Sequence, residues 1–426
     1  MRKICIPAIV TAFLLASCGF WEGSTAVIWT DRPEFAVYAE YFNSGQDEYK
    51  IETRYFESPA QKLTDAKDYP DIVAGSWLKS ASTRVFFKPL DYLFKNKGMN
   101  GEDFYPRLLS LGRIEEKQYL LPVSFNIPAL AFSRNNSHLL SNLFIIGLEE
   151  IKEAGKAYNV ESKGAYTRMG FSPSWNDEFL FVSATLFNTE FREAEPLAWD
   201  QGALEESIRY IRNWIAEANT NTDIEDDFSF KYFFVPPAKL AISGRILFTY
   251  MESSEFFTLT GEQRDSLDFR WIAGKDGTIP LVENTTYYGI SKTTRAKKAA
   301  DAFTRWFFRK DTQSRFLEES RRLRMNETLF GIGNGFSAMR TVTEQIFPQY
   351  YPGLLGHMPP EDALSPPNIL PHRWMAIKQR VILPYLHGRI RSGGGAGNSN
   401  TVIGSTITTT DLERQLAEWL RVNRNL

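Results

Sequence analysis

The spacing of apolar positions changes several times along this chain, and each change predicts an element. Ala26-Val27-Ile28-Trp29 is a short continuous apolar run, the form taken by a strand buried on both faces. Behind it, Phe35, Tyr38, Ala39 and Phe42 recur at the i, i+3, i+4, i+7 spacing of an amphipathic helix. Asp31 can cap that helix, with Glu34 three residues on as in a capping box and Pro33 tolerated in the first turn. Residues 50–56 are β-rich, and Asp71-Ile72-Val73-Ala74-Gly75 is a second continuous apolar run, so the chain opens strand, helix, strand, helix, strand. Ligands of such open α/β sheets bind beyond the carboxyl ends of the strands, here the Thr30-Asp31 and Gly75-Ser76-Trp77 turns.

Further strands are expected at residues 119–123 and 129–133, joined by Ser124-Phe125-Asn126-Ile127-Pro128. A helix follows Asp200, with Leu204, Ile208, Ile211 and Ile215 on one stripe. Another helical stretch ends at Ser243-Gly244 and leads into a strand over residues 246–250, and residues 287–290 form one more short strand. Residues 295–319 carry helical periodicity through Ala299, Phe303, Trp306, Phe307, Phe316 and Leu317, with Trp306 assigned to the core. Helices over residues 374–386 and 411–422 close the chain. Between them, residues 392–405 form a Gly/Ser/Asn-rich loop, read as flexible because no Lys-Ser/Thr pair follows its glycines to cradle a phosphate.

The first residues read as an export signal: Met1-Arg2-Lys3 is charged, and the apolar stretch over residues 4–15 is too short to span a membrane. Leu15-Ala16-Ser17-Cys18 resembles the bacterial lipobox, which implies cleavage after residue 17 and acylation of Cys18, so that lipid chains hold a soluble domain at a membrane surface. The alternative is an ordinary secretory signal with an incidental Cys18. On the first reading residues 1–17 are the signal and 18–24 an acylated tether. The exported chain is then left with Cys18 alone, without a disulfide, a zinc-thiolate site or a cysteine nucleophile.

The 426 residues, 43% apolar and 23% charged, exclude a disordered chain and suggest two or three compact units. With 49 Lys+Arg against 51 Asp+Glu, nucleic acid is excluded as the main partner, since neutralising phosphates needs a basic surface. The four histidines, at 138, 357, 372 and 387, show no metal-ligand spacing. There is no H-E-x-x-H, G-x-S-x-G or Walker loop, and Gly331-Ile332-Gly333-Asn334-Gly335 lacks the last glycine of a dinucleotide fingerprint. The chain therefore reads as a non-enzyme without cofactor or metal. Two carboxylates brought together by folding, as in a glycoside hydrolase, remain the catalytic alternative.

Five blocks in order carry a resemblance to the extracellular solute-binding proteins, family 1, that feed carbohydrate ABC importers, the group of maltose-binding protein. Ala26-Val27-Ile28-Trp29-Thr30-Asp31 looks like the family's first strand and ligand turn, and Tyr69-Pro70-Asp71-Ile72-Val73-Ala74 like its "PDI" strand. Tyr119-Leu120-Leu121-Pro122-Val123 with Ala129-Leu130-Ala131-Phe132-Ser133-Arg134-Asn135 is similar to its first crossover, and Ala241-Ile242-Ser243-Gly244-Arg245-Ile246-Leu247-Phe248 to its "F-x-x-G-x-A-A-M" element. Tyr288-Gly289-Ile290-Ser291-Lys292 leading into Ala299-Ala300-Asp301-Ala302-Phe303 looks like the return to the first lobe.

The resemblance implies an α/β fold of two discontinuous lobes, the type II periplasmic-binding-protein architecture, with a ligand cleft between them. Residues 25–123 and 288–336 would form the N-terminal lobe, and 124–287 and 337–426 the C-terminal lobe, with crossovers near 123–128, 282–287 and 335–340. Implied partners are a carbohydrate ligand, ABC permease subunits with a cytoplasmic ATPase, and a bacterial membrane reached through the lipid anchor, the protein itself being a monomer. By position in the family pattern the ligand residues are Asp31, Arg32, Trp77, Asn126, Trp175, Glu252, Tyr287 and Trp374. The aromatic rings would stack on sugar faces, while charged and amide groups bond hydroxyls.

Each position also admits a structural role: Asp31 as a helix cap, the tryptophans as core, Arg32 and Glu252 as solvated charges. Tyr250-Met251-Glu252-Ser253-Ser254 lacks the Trp that often follows this strand in the family, which leaves a non-sugar solute open. Tyr287-Tyr288 resembles the tyrosine pair with which related proteins hold ferric iron, although strand alternation sends the two rings to opposite faces. A polyamine is another candidate, and a relative serving adhesion or sensing without transport is a further reading.

Overall fold

The computed structural model describes residues 24–95, 98–392 and 410–423. The signal, Cys18 and most of the tether and of the Gly/Ser/Asn-rich loop lie outside the described residues. Two sheets organise the rest. The first has six strands, in the order Phe336–Ser337, Leu121–Phe125, Thr286–Ile290, β3 (Ile72–Gly75), β1 (Thr25–Thr30), β2 (Lys50–Tyr55). The pairs of β1 with β2 and β3 are parallel, and Thr286–Ile290 runs antiparallel between β3 and Leu121–Phe125. The second sheet has four strands, Phe248–Glu252, Pro128–Ser133, Leu267–Ile272 and Ile145–Ile146.

Strand alternation sorts the core. On Pro128–Ser133, Leu130 and Phe132 enter one apolar cluster with Phe248 and the stripe Leu204, Ile208, Ile211 and Ile215. Ala129 and Ala131 face the opposite way, into a larger cluster with the first sheet. The stripe belongs to the helix Gln201–Ala218, whose first turn is capped by Asp200 through the Ala203 N–H at 2.8 Å, as the sequence predicts. The larger cluster is shared by both sheets at one end. Phe257 stacks on Phe330 with centroids 4.9 Å apart, and Trp271 meets Phe336 at 6.0 Å.

Several expectations are corrected. The helix α1 (Glu34–Ser44) buries Phe35, Tyr38, Ala39 and Phe42 as expected, but its N-cap is Pro33 and no side chain caps it. Asp31 instead accepts the Ser76 N–H at 3.1 Å, because the end of β1 lies beside the end of β3. The single helix expected over residues 295–319 is two, Lys297–Phe307 and Lys310–Arg322. The break lets the Phe308 ring turn inward against Phe104 and Tyr288. Trp306 is only partly buried, wedged at the core's edge between Phe42 and Phe316.

The chain passes from one sheet to the other at Asn126-Ile127 and again between Ile272 and Thr286. Around the third passage expected near residues 335–340 the chain touches both sheets, Phe336 pairing with Phe125 in the first while its ring meets Trp271 of the second. Ala338 bonds Val123 and Tyr105 through its backbone, and Met339 and Val342 stay in the first cluster. Arg107 still reaches the Leu364 carbonyl at 2.9 Å. Only with Leu370 and Trp374 does the chain enter the second cluster.

Candidate functional site

The carboxyl ends of β1 and β3 bring Asp31, Arg32, Ser76 and Trp77 together. Arg32 donates through Nε to Thr286 Oγ1 at 2.9 Å, and through Nη2 to Ser76 Oγ at 3.1 Å and the Asn284 carbonyl at 3.2 Å. A guanidinium fork thus ties three segments of the first lobe into one edge. Asp31 Oδ1 is buried without a hydrogen-bond partner, 3.7 Å from Arg32 Nε. Trp77 follows with a φ of 64°, a left-handed conformation that a bulky residue adopts only where its surroundings hold it there. Its half-buried ring packs against apolar clusters of both lobes.

Glu283, next to the Asn284 that Arg32 holds, belongs to a charged group from the second lobe and the crossing segment. Glu178 sits in the first turn of the helix Asp177–Leu186, which Asn176 caps. Lys378 opens a π turn, Lys378–Ile382, within the helical run that begins at Trp374. It is 2% exposed and donates to both Glu178 and Glu283, with its Nζ 4.2 Å from the Phe181 ring centroid. Burial alone would drive this ammonium towards neutrality, but the two carboxylates outweigh it and hold its pKa above the ordinary lysine value. Glu178 is raised by burial. Glu252, at the end of Phe248–Glu252, is pushed up to about 8 by burial and by Glu255, Glu283 and Glu178.

Two contacts join the lobes across the seam. Ser82 Oγ lies 2.7 Å from His372 Nδ1, and the Ala81 N–H donates to Glu193 Oε2 at 2.7 Å. Together with Trp77 they describe a closed arrangement.

The remaining expected residues take other places. Asn126 lies at the first crossing, donating to the Asn334 carbonyl at 2.9 Å and accepting from Ser253 Oγ at 2.7 Å, so both ends of its amide tie the two lobes together. Trp175 stacks on Phe228 at 5.6 Å and 15° and donates to the Glu225 carbonyl at 3.4 Å, leaving its ring partly exposed.

Tyr287 and Trp374 are corrected as ligand platforms, since neither presents surface. Tyr287 donates to the Leu108 carbonyl at 2.9 Å, and Lys79 Nζ sits 4.6 Å above its ring. Trp374 is packed between Phe181 and Phe191 and points its indole N–H at Glu283 Oε1, 3.4 Å away. Tyr288 turns to the other side of the sheet, where its hydroxyl meets Thr304 Oγ1 at 2.7 Å, so the tyrosine pair does not converge on one point.

Sequence reasoning missed Glu178, Glu283, Lys378 and Thr286. Lys378 stands four residues after Trp374, on the same helical face, and Glu178 follows the Asn176 cap; both spacings were visible. Glu283 lies in an irregular crossing segment without a sequence signal.

Comparison with solved structures places the architecture. An ABC substrate-binding protein from Listeria monocytogenes in complex with cycloalternan superposes with a TM-score of 0.61, covering 94% of this chain and 99% of its own at 13% identity. The cyclic alpha-maltosyl-1,6-maltose binding protein from Arthrobacter globiformis gives 0.60 over 93% and 98% at 13% identity. The maltose-binding periplasmic protein of Listeria monocytogenes with maltose gives 0.61 over 94% and 98% at 11% identity. No family model and no curated protein matches the chain. The fold is thus the two-lobed, type II α/β fold of sugar-binding ABC substrate-binding proteins over nearly the whole chain, in agreement with the resemblance read from the sequence blocks. Among the described residues no helix is long and apolar enough to cross a membrane.

Proposed function

We propose that this protein is a non-enzymatic clamp that holds a sugar or oligosaccharide between its lobes and delivers it, unaltered, to a membrane permease powered by a cytoplasmic ATPase. The observation that carries the reading is the junction at Glu283-Asn284, where the Asn284 carbonyl takes Arg32 and Glu283 takes Lys378, with Trp77 packed against apolar clusters of both lobes and the seam closed by Ser82–His372 and Ala81–Glu193. A polyhydroxylated guest needs this mixture, directional charged groups for its hydroxyls and an aromatic face for its C–H surface. Closure is then stabilised by contacts the guest makes with both lobes, as in hinge-closing binding proteins.

In this reading Cys18 carries a lipid anchor on the outer side of a bacterial membrane, with residues 18–24 as tether. The proposal is tested by thermal-shift measurements with mono- and oligosaccharides, polyamines and ferric iron. Sugars should raise the melting temperature and be recovered chemically unchanged. A shift with iron alone, or sugar cleaved on incubation, would sink it.

A further inference from the structure

A cavity of about 510 Å³ lies apart from the cleft, and none of Asp31, Arg32, Trp77, Glu178, Glu252 or Lys378 lines it. Its walls come from the helix Gly261–Ser266, the strand Leu267–Ile272, Arg134 just beyond Pro128–Ser133, and the stretch 350–357. That volume lies within the range of about 300–1,000 Å³ usual for small-molecule pockets. Its apolar side is a group of buried rings. Phe257 and Phe269 stand 5.7 Å apart, and Tyr351 meets Phe257 edge-on at 5.5 Å.

The polar side carries two guanidiniums that no carboxylate neutralises. Arg134 is held by two backbone carbonyls, donating from Nε to Asp265 at 2.9 Å and from Nη2 to Arg264 at 3.4 Å. Arg264 donates from Nη1 to the Phe257 carbonyl at 2.7 Å, and its Nε–Nη2 edge has no partner among the described residues. That edge is the fork that takes a carboxylate through two parallel hydrogen bonds. Of the two carboxylates in the lining, Asp268 is paired at 3.0 Å with Arg270, which lies outside it. Two guanidiniums are thus set against one uncommitted carboxylate, that of Asp265. His357 stands on the same lining with both ring nitrogens buried and unpaired, and an imidazole carries at least one N–H in either protonation state. The cavity has donors left over.

We propose that this cavity is a second binding site, for a small organic anion whose carboxylate lies on the Arg264 fork and whose flat apolar body enters against Phe257 and Phe269. The site goes beyond the clamp reading and does not depend on it. A carboxylate only accepts hydrogen bonds, which matches the surplus donors, whereas a sugar hydroxyl brings a donor of its own. Arg134 adds a second positive charge at the rim. Because Arg134 is exposed, salt screens part of the attraction, and affinity falls as ionic strength rises.

The test is calorimetric titration of the exported chain with naphthoate and with naphthamide, its neutral counterpart of the same shape. The acid should bind at least about tenfold more tightly than the amide, and Arg264→Gln should remove that preference. A Cβ at Gly353, on the cavity wall, would stand 3.9 Å from Phe257 Cε1 and meet nothing closer. Gly353→Phe therefore fits a ring into the cavity and should exclude the acid while keeping both arginines, so the site stays testable even if Arg264→Gln fails to fold. Trp77→Ala should bind the acid as the wild type does. Equal binding of acid and amide, or no binding of either, overturns the anion site. Binding that survives Gly353→Phe, or that is lost in Trp77→Ala, puts the compound elsewhere and overturns it too.

Discussion

Ser82 Oγ and His372 Nδ1 meet at 2.7 Å although 290 positions separate them in the chain, so the loop after β3 is bonded to the segment that enters the second lobe's core. Burial and the nearby Arg373 hold the His372 imidazole below its ordinary pKa of 6.5. Protonating it therefore costs more in the closed seam than in water. Closure is therefore fully supported above about pH 6.5 and weakens as the pH falls below it. Small-angle scattering should show a larger radius of gyration at pH 5.5 than at pH 7.5, with His372→Gln abolishing the difference. An unchanged radius in the wild type contradicts the latch.

Glu225 is fully buried and accepts from Asn219 Nδ2 at 2.6 Å and Ser174 Oγ at 2.7 Å, yet burial still pushes its carboxyl up to about 7. The folded state thus disfavours the ionised form, and its stability contribution is intact below the unfolded value near 4.5 and lost as the pH rises through 7. Glu225→Gln keeps an acceptor for Asn219 and removes the ionisation penalty. It should stabilise the protein at pH 8 by about 2 kcal/mol and change little at pH 4.5, read from urea unfolding at both pH values.

Removing the Lys378 ammonium leaves Glu178 and Glu283 as unpaired, partly buried carboxylates. Lys378→Met should destabilise by about 3–5 kcal/mol, and adding Glu178→Gln and Glu283→Gln should recover most of the loss. If the triple variant is as unstable as the single one, it is the packing of the lysine stem on Phe181, not charge pairing, that dominates.

The tryptophans divide by burial. Trp374→Ala empties a site with no exposed surface and should cost about 3–5 kcal/mol of stability. Trp77→Ala and Trp175→Ala should leave the unliganded melting temperature close to wild type and abolish the sugar-induced shift. Thermal melts with and without sugar separate the two cases, and loss of folding in the Trp77 and Trp175 variants would make both structural.

The elements of this protein were legible because each has a local cause. Continuous apolar runs became the buried strands β1 and β3, the 3.6-residue stripe after Asp200 became a capped helix, and the order of five blocks carried the two-lobed architecture. Where the sequence misled, a neighbour distant along the chain had intervened. Asp31 is a natural helix cap by sequence, but β3 presents the Ser76 N–H to it; Tyr287 and Trp374 stand at strand and helix positions open to a ligand, but Leu108, Phe181, Phe191 and Glu283 occupy them.

What the amino-acid sequence determined by itself is the periodicity of each segment, and through it which residues are helical, which are extended and which face turns inward. Only the tertiary structure decided which polar and charged groups meet: Lys378 with Glu178 and Glu283, Arg32 with Thr286 and Asn284, Ser82 with His372. The physical reason is range. Backbone propensity and side-chain alternation act within a few residues, whereas the energy of a carboxylate depends on its burial and on charges a few ångströms away, wherever in the chain they originate.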